Sequence, residues 1–190
     1  YSLKVFWAPF IDNAKIPYLY TTGRRKSWMI LMIIIIGLVS CAYSFLDPHN
    51  SISQIFSLTI ILGIASATLD IVIDAYRIDN IAKDQQAVAA ANAVFGYRIG
   101  CMLVGAGALY MAAHYSWSQV FLIIALIYFI GIIFVYNLNE TPSDVSFVAR
   151  YTLKKTFTEP FVEFFKRKYS ILILLAITFY KLGDAMAGVV

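Results

Sequence analysis

Asp70, Asp74 and Arg77 stand at i, i+4 and i+7 in the stretch Ser66–Asp79, which closes a long apolar segment opening near Ile52. At about 100° per residue the three fall within roughly 60° of one another on a helix, so they form one stripe. An ionised side chain at membrane depth costs at least ~2.5 kcal/mol, and such residues face a partner or a water-filled cavity. Two carboxylates one turn apart repel when both are ionised, so the chemistry this pair offers is the uptake and release of a proton. The competing reading is an Asp–Arg clasp that only pins helices together. Three charges on one face exceed what a single clasp needs.

Further charges sit inside other apolar segments: Lys4, Arg98, and Lys181 with Asp184 one turn beyond it. With ~1.5 Å of rise per residue, Asp70 lies about 13 Å from the polar end of its helix, and Arg98 about 16 Å into the following one. Lys181 is some 18 Å into the last segment and Lys4 about 10 Å from the end of the first, by the same rise. Four segments thus bring charge to one layer, as a site for a polar, charged solute requires. Lys4 is shallow enough to reach the interface with its amine, whereas Arg98 and Lys181 are not. Arg98 suits a carboxylate held bidentately and Lys181 a point-charge contact. A local Lys181–Asp184 pair is the bland alternative.

The elements that position these residues are apolar helices. The chain has 190 residues, of which 61% are hydrophobic and only 14% charged, with a mean hydropathy of +0.74. A soluble domain of this length carries roughly 25% charge, so the composition is that of a membrane protein. The uncharged run Trp28–Leu46 is long enough to span about 30 Å of hydrocarbon. Further spans are expected over Ile52–Asp79, Ala87–Ala113 and Trp117–Leu138, with incomplete ones before Ile11 and after Ser170. The chain opens on Tyr1 rather than Met and stops within an apolar run at Val190, and both ends are read as cut. The organisation is therefore helices over 1–138, a polar linker over 139–169, and the start of another helix over 170–190.

Twelve of the fifteen Lys and Arg fall at alternate connections, while the turns Asp47–Ser51 and His114–Ser116 carry none. The positive-inside rule places the basic connections in the cytoplasm. The linker interleaves Phe147, Tyr151, Phe157, Phe161, Phe164 and Phe165 with Lys154, Lys155, Lys166, Arg167 and Lys168, as an interfacial amphipathic segment does. Gly96, Gly100, Gly105 and Gly107 are read as a stripe for close helix packing. Cys41 and Cys101 lie in apolar segments and are read as small core residues. There is no phosphate loop, metal-ligand cluster or nucleophile–base pair, so the reading is not an enzyme, with no metal or cofactor. The bilayer is the implied partner, and nucleic acid is not.

The connector Trp7-Ala-Pro-Phe-Ile-Asp12 … Gly23-Arg-Arg-Lys-Ser-Trp28 resembles the signature between helices two and three of the major facilitator superfamily. Asp12, Gly23, Arg24 and Arg25 match it; Ala8 stands for the leading glycine, and extra residues separate Asp12 from Gly23. Together with Tyr1-Ser-Leu-Lys4, Asp70-Ile-Val-Ile-Asp-Ala75, Gly96-Tyr-Arg-Ile-Gly100 and Tyr180-Lys-Leu-Gly-Asp-Ala185, the chain resembles the AmpG family of muropeptide permeases. The resemblance implies an all-α, polytopic bundle: the N-terminal half of a transporter, from the end of helix two to the start of helix seven. It implies proton-driven import of anhydromuropeptides, sugar–peptide products of wall turnover, across a bacterial inner membrane. The remaining partners would be the first helix and the C-terminal half of the same transporter. Asp12, Arg24 and Arg25 would form a cytoplasmic latch, pairing with each other or with neighbouring helix ends. The alternatives are another solute of the same superfamily, such as acetyl-CoA, and a non-transporting membrane fragment.

Overall fold

The computed structural model describes residues 7–8, 11, 23–139, 162, 164–166 and 168–187, with the side chains of 180, 181 and 183–187 left aside. Among the described residues five helices follow in order: α1 Arg24–Tyr43, α2 Ile52–Asn80, α3 Gln86–Ala112, α4 Trp117–Tyr136 and α5 Ser170–Ala187. The first four are long and apolar enough to cross a membrane, and no strand occurs among the described residues. The protein is a multi-pass membrane protein of all-α class. Two compact units divide the chain, Tyr1–Asp144 and Val145–Val190.

Local chemistry sets the helix ends. α1 starts four residues before the expected Trp28, because Arg24, Arg25 and Lys26 form its first turn. Gly23 caps it at φ 115°, ψ 147°, a conformation essentially reserved for glycine. Its carbonyl accepts the Ser27 amide at 3.1 Å and the Ser27 hydroxyl as well. Beyond Tyr43 the chain turns on Asp47, whose carboxylate accepts the His49 amide at 3.1 Å and the Asn50 side chain at 2.7 Å. The end of α2 is closed by Gln86, whose Nε2 donates to the carbonyls of Ile81 at 2.7 Å and Arg77 at 3.3 Å. The Arg77 carbonyl also accepts the Ile81 amide at 3.1 Å, so backbone and side chain close this helix end together. α4 opens with a capping box between Ser116 and Gln119.

α1 is the hub of the first unit, packed along both α2 and α4. Met29 joins Ile11 and Val72 in one buried cluster, and Met32 and Ile36 join Ala65 in a second. Gly37 lets α4 approach closely: a Cβ there would stand 3.0 Å from the Phe129 ring. In lipid the hydrocarbon competes for every apolar face, so close fit and polar links decide which helices associate. Such links mark both ends of the hub. At one end the Tyr43 hydroxyl lies 2.8 Å from Thr59 Oγ1, and Ser44 Oγ lies 2.7 Å from Ser118 Oγ, which donates to the Ser44 carbonyl at 2.6 Å. The partners at the other end are charged, and they show that α1 runs antiparallel to both α2 and α4.

α3 differs. It has no buried residue and touches α2 and α4 only sparsely. A Cβ added at Gly96, Gly100, Gly105 or Gly107 would meet nothing within 4 Å, so the glycine stripe does not pack against any described helix. The expectation of close packing there is corrected for the described residues. Cys101, on the same helix, is exposed rather than in a core, and Cys41 is half-buried; both are free thiols. In the second unit the apolar side chains of α5 from Ile171 to Phe179 are exposed.

Candidate functional site

The phase of α2 explains what its charges face. Val72 is fully buried against α1, and Ala65, Thr68 and Tyr76 lie within roughly 40° of it around the helix axis. Asp70, Asp74 and Arg77 lie at about 140–200° from Val72 by the same rotation, on the opposite side of the helix. The stripe thus lies on the opposite side of α2 from the residues that pack on α1, and all three of its residues are partly buried. Within it Arg77 Nη2 lies 3.0 Å from Asp74 Oδ1, an i,i+3 ion pair in which the Asp74 side chain is 47% exposed and that of Arg77 24%. Arg77 Nε is buried and finds no acceptor among the described residues. Asp70 is half-buried, one turn deeper along the helix. Just below it in sequence, Trp7 Nε1 donates to the buried Thr68 hydroxyl at 3.2 Å, tying the segment that precedes α1 to α2.

Arg98 is on α3, exposed, and has no ion-pair or hydrogen-bond partner among the described residues. The structure therefore does not join it to the aspartates, although its distance along α3, about 18 Å from Gln86, is close to the ~15 Å from Asn80 to Asp70 along α2. Lys181 and Asp184 are on α5, with side chains outside the described residues, as are Lys4 and Asp12 altogether. A recess of about 340 Å³ opens among Trp7, Ile11, Trp28, Met32, Ile35 and Thr68. Its walls are apolar, so it offers no group for a charged solute. Among the described residues no three His, Cys, Asp or Glu converge as a metal site.

The basic run at the start of α1 is the second cluster. Arg25 is 8% exposed, and its Nε lies 3.1 Å from Asp79 Oδ2 at the end of α2. Asp79 falls at about −20° from Val72, on the packed face, which is why it meets α1 whereas the stripe does not. Lys26, also 8% exposed, donates from Nζ to the carbonyls of Tyr136 at 2.9 Å and Leu138 at 2.8 Å, and lies 5.6 Å from the Tyr136 ring centroid. A cation there meets the negative end of the α4 dipole and satisfies carbonyls that lack intrahelical donors. The Tyr76 hydroxyl donates to the Asn139 carbonyl, binding α2 to the same helix end. Sequence reasoning singled out Arg24 and Arg25 but missed Lys26, Asp79 and Tyr76. The only signal for Lys26 was its place in an uninterrupted basic run.

The described residues thus define a polytopic membrane bundle with a charged stripe opposite its packing face and a basic clamp at one end. The Major Facilitator Superfamily model matches residues 2–187, and the chain belongs to that family. Within it, the chain is 45% identical to the Rickettsia conorii protein that bears the name AmpG 4, over 100% of this chain and 47% of that protein. It is 46% identical to the AmpG 4 of Rickettsia felis, with the same coverage. The Escherichia coli K12 protein named anhydromuropeptide permease is 32% identical over 98% of this chain and 37% of its own length. The chain spans about half the length, or less, of these relatives.

Proposed function

We propose that the intact protein imports anhydromuropeptides across the bacterial inner membrane, coupled to protons, with residues 1–138 and 170–190 contributing helices and 139–169 the linker between halves. The observation that carries this reading is the orientation of the α2 stripe, with Asp70, Asp74 and Arg77 opposite the helix face that packs on α1. Charges placed so inside a membrane helix belong to a polar pathway rather than to the bundle's own adhesion. Membership in a carrier superfamily and relatives named for muropeptide permeation supply the solute class.

In this reading Asp70 gains and loses the proton, and the Asp74–Arg77 pair holds the stripe. Arg98 and Lys181 take anionic groups of the solute, and Lys4 and Asp184 belong to the same pathway. Asp12, Gly23, Arg24 and Arg25 form the cytoplasmic latch. The protein carries a solute without transforming it, and it needs no cofactor. The deciding experiment loads proteoliposomes of the intact protein with buffer and offers labelled anhydromuropeptide under an imposed pH gradient. Concentrative uptake that collapses with a protonophore is expected. Uptake that follows another solute, or ignores the gradient, overturns the assignment.

A further inference from the structure

The residues just before α5 form a surface that the transport reading does not use. The Lys166 amide is bonded to the Val162 carbonyl at 3.1 Å, which closes a helical turn. Ser170 Oγ reaches back to the Phe165 carbonyl at 3.5 Å, and the Ile173 amide to Tyr169 at 3.0 Å, so this turn leads into α5. Its apolar groups are in the open: Val162 is 51% exposed, Phe165 57% and Tyr169 61%. Phe164 and Phe165 meet edge to face at 5.6 Å, and Lys168 Nζ sits 5.7 Å from the Tyr169 ring centroid. Lys166 and Lys168 are themselves exposed. Between residues 145 and 169 the sequence has six Lys and Arg against two Glu.

We propose that this surface docks on the headgroups of anionic phospholipids in the leaflet where α5 begins. Depth supports this occupant. The chain passes from Lys168 and Tyr169 through the buried Ser170 to Ile171 and Leu172, both exposed and apolar, so the cations flank an apolar run as cations do at the edge of a bilayer. Aromatic rings settle at that boundary, and lysines beside them gain from a negative leaflet. Exposed aromatics interleaved with cations fit a surface that is apolar below and anionic above. An acidic protein would offer the charge without the apolar layer. The proposal does not depend on which solute is carried.

The test places a photo-crosslinker at the docking face, Phe165→p-benzoylphenylalanine, in the intact protein. The protein is reconstituted in nanodiscs of phosphatidylcholine with a fifth of phosphatidylglycerol. Phosphatidylglycerol should form a several-fold larger share of crosslinked lipid than its share of the disc. Adding K166Q and K168Q should return it to the disc's composition without changing total lipid crosslinking, and K166R with K168R should preserve the enrichment. Each Lys or Arg near a charged surface is worth roughly fivefold in local enrichment at low salt, so the double loss is well within range. Crosslinking at the disc's composition in the unsubstituted background, or enrichment unchanged by K166Q and K168Q, overturns the proposal. So does crosslinking in native membranes that goes to a protein instead of lipid.

Discussion

Asp70 and Asp74 share one stripe, and Asp74 is committed to Arg77 at 3.0 Å. If Asp70 is the proton carrier, Asp70→Asn abolishes accumulation of solute under a pH gradient but leaves exchange of solute between preloaded vesicles. Loss of accumulation in Asp74→Asn alone, with Asp70→Asn unaffected, would reverse the two roles. Gly23 presents a separate residue-scale case, since its φ of 115° suits no side chain. Gly23→Ala should cost about 1–3 kcal/mol, read as a lowered melting temperature of the purified protein. The Asp74–Arg77 pair was legible in the sequence because both residues belong to one helix at i,i+3. The Arg25–Asp79 pair was not, since its members are 54 residues apart and nothing local specifies that two helix ends meet.

At the scale of elements, the apolar runs made the helices legible, and their ends moved only where side chains found partners. Counting charge as a helix breaker put the start of α1 at Trp28; the basic residues instead enter the helix because Asp79 and the α4 carbonyls receive them. The glycine stripe of α3 misled, because spacing shows where a helix can be approached and not by what. Among the described residues the helical glycine that does take a neighbour is Gly37, against Phe129. Gly37→Leu should therefore destabilise the α1–α4 contact by about 1–3 kcal/mol, and trimming the opposing ring with Phe129→Ala should restore part of it. Unchanged thermal stability in Gly37→Leu would contradict the packing. Lys26→Met keeps the stem but removes the donors, leaving the α4 carbonyls short of partners. A loss of about 1–3 kcal/mol is expected, along with faster hydrogen exchange at the end of α4.

For the molecule as a whole, the basic clamp joins the ends of three helices, so any motion that separates those ends must break it. An exposed ion pair is worth only ~0–1 kcal/mol, and the Asp79 side chain is 39% exposed. That is still enough to bias two conformations of similar energy. Arg25→Gln and Asp79→Asn in the intact protein should shift the populations of spin-label distances across this end in the same direction. The double variant should shift them no further than either alone. Additive effects would mean that the two residues act through different contacts.

The two acceptors of Lys26 lie 110 and 112 residues downstream of it, whereas Asp79 lies 54 downstream of Arg25. At synthesis rates of about 5–20 residues per second, α4 emerges some 3–12 seconds after the end of α2. During that interval α1 and α2 are already in place, and the lysine must remain in water or among lipid phosphates. The order of birth is thus written into the clamp: arginine engages first, lysine last. A ribosome-stalled chain whose emerged part ends before Leu138 should leave Lys26 open to amine-reactive label, and one long enough for Leu138 to have left the ribosome should close it.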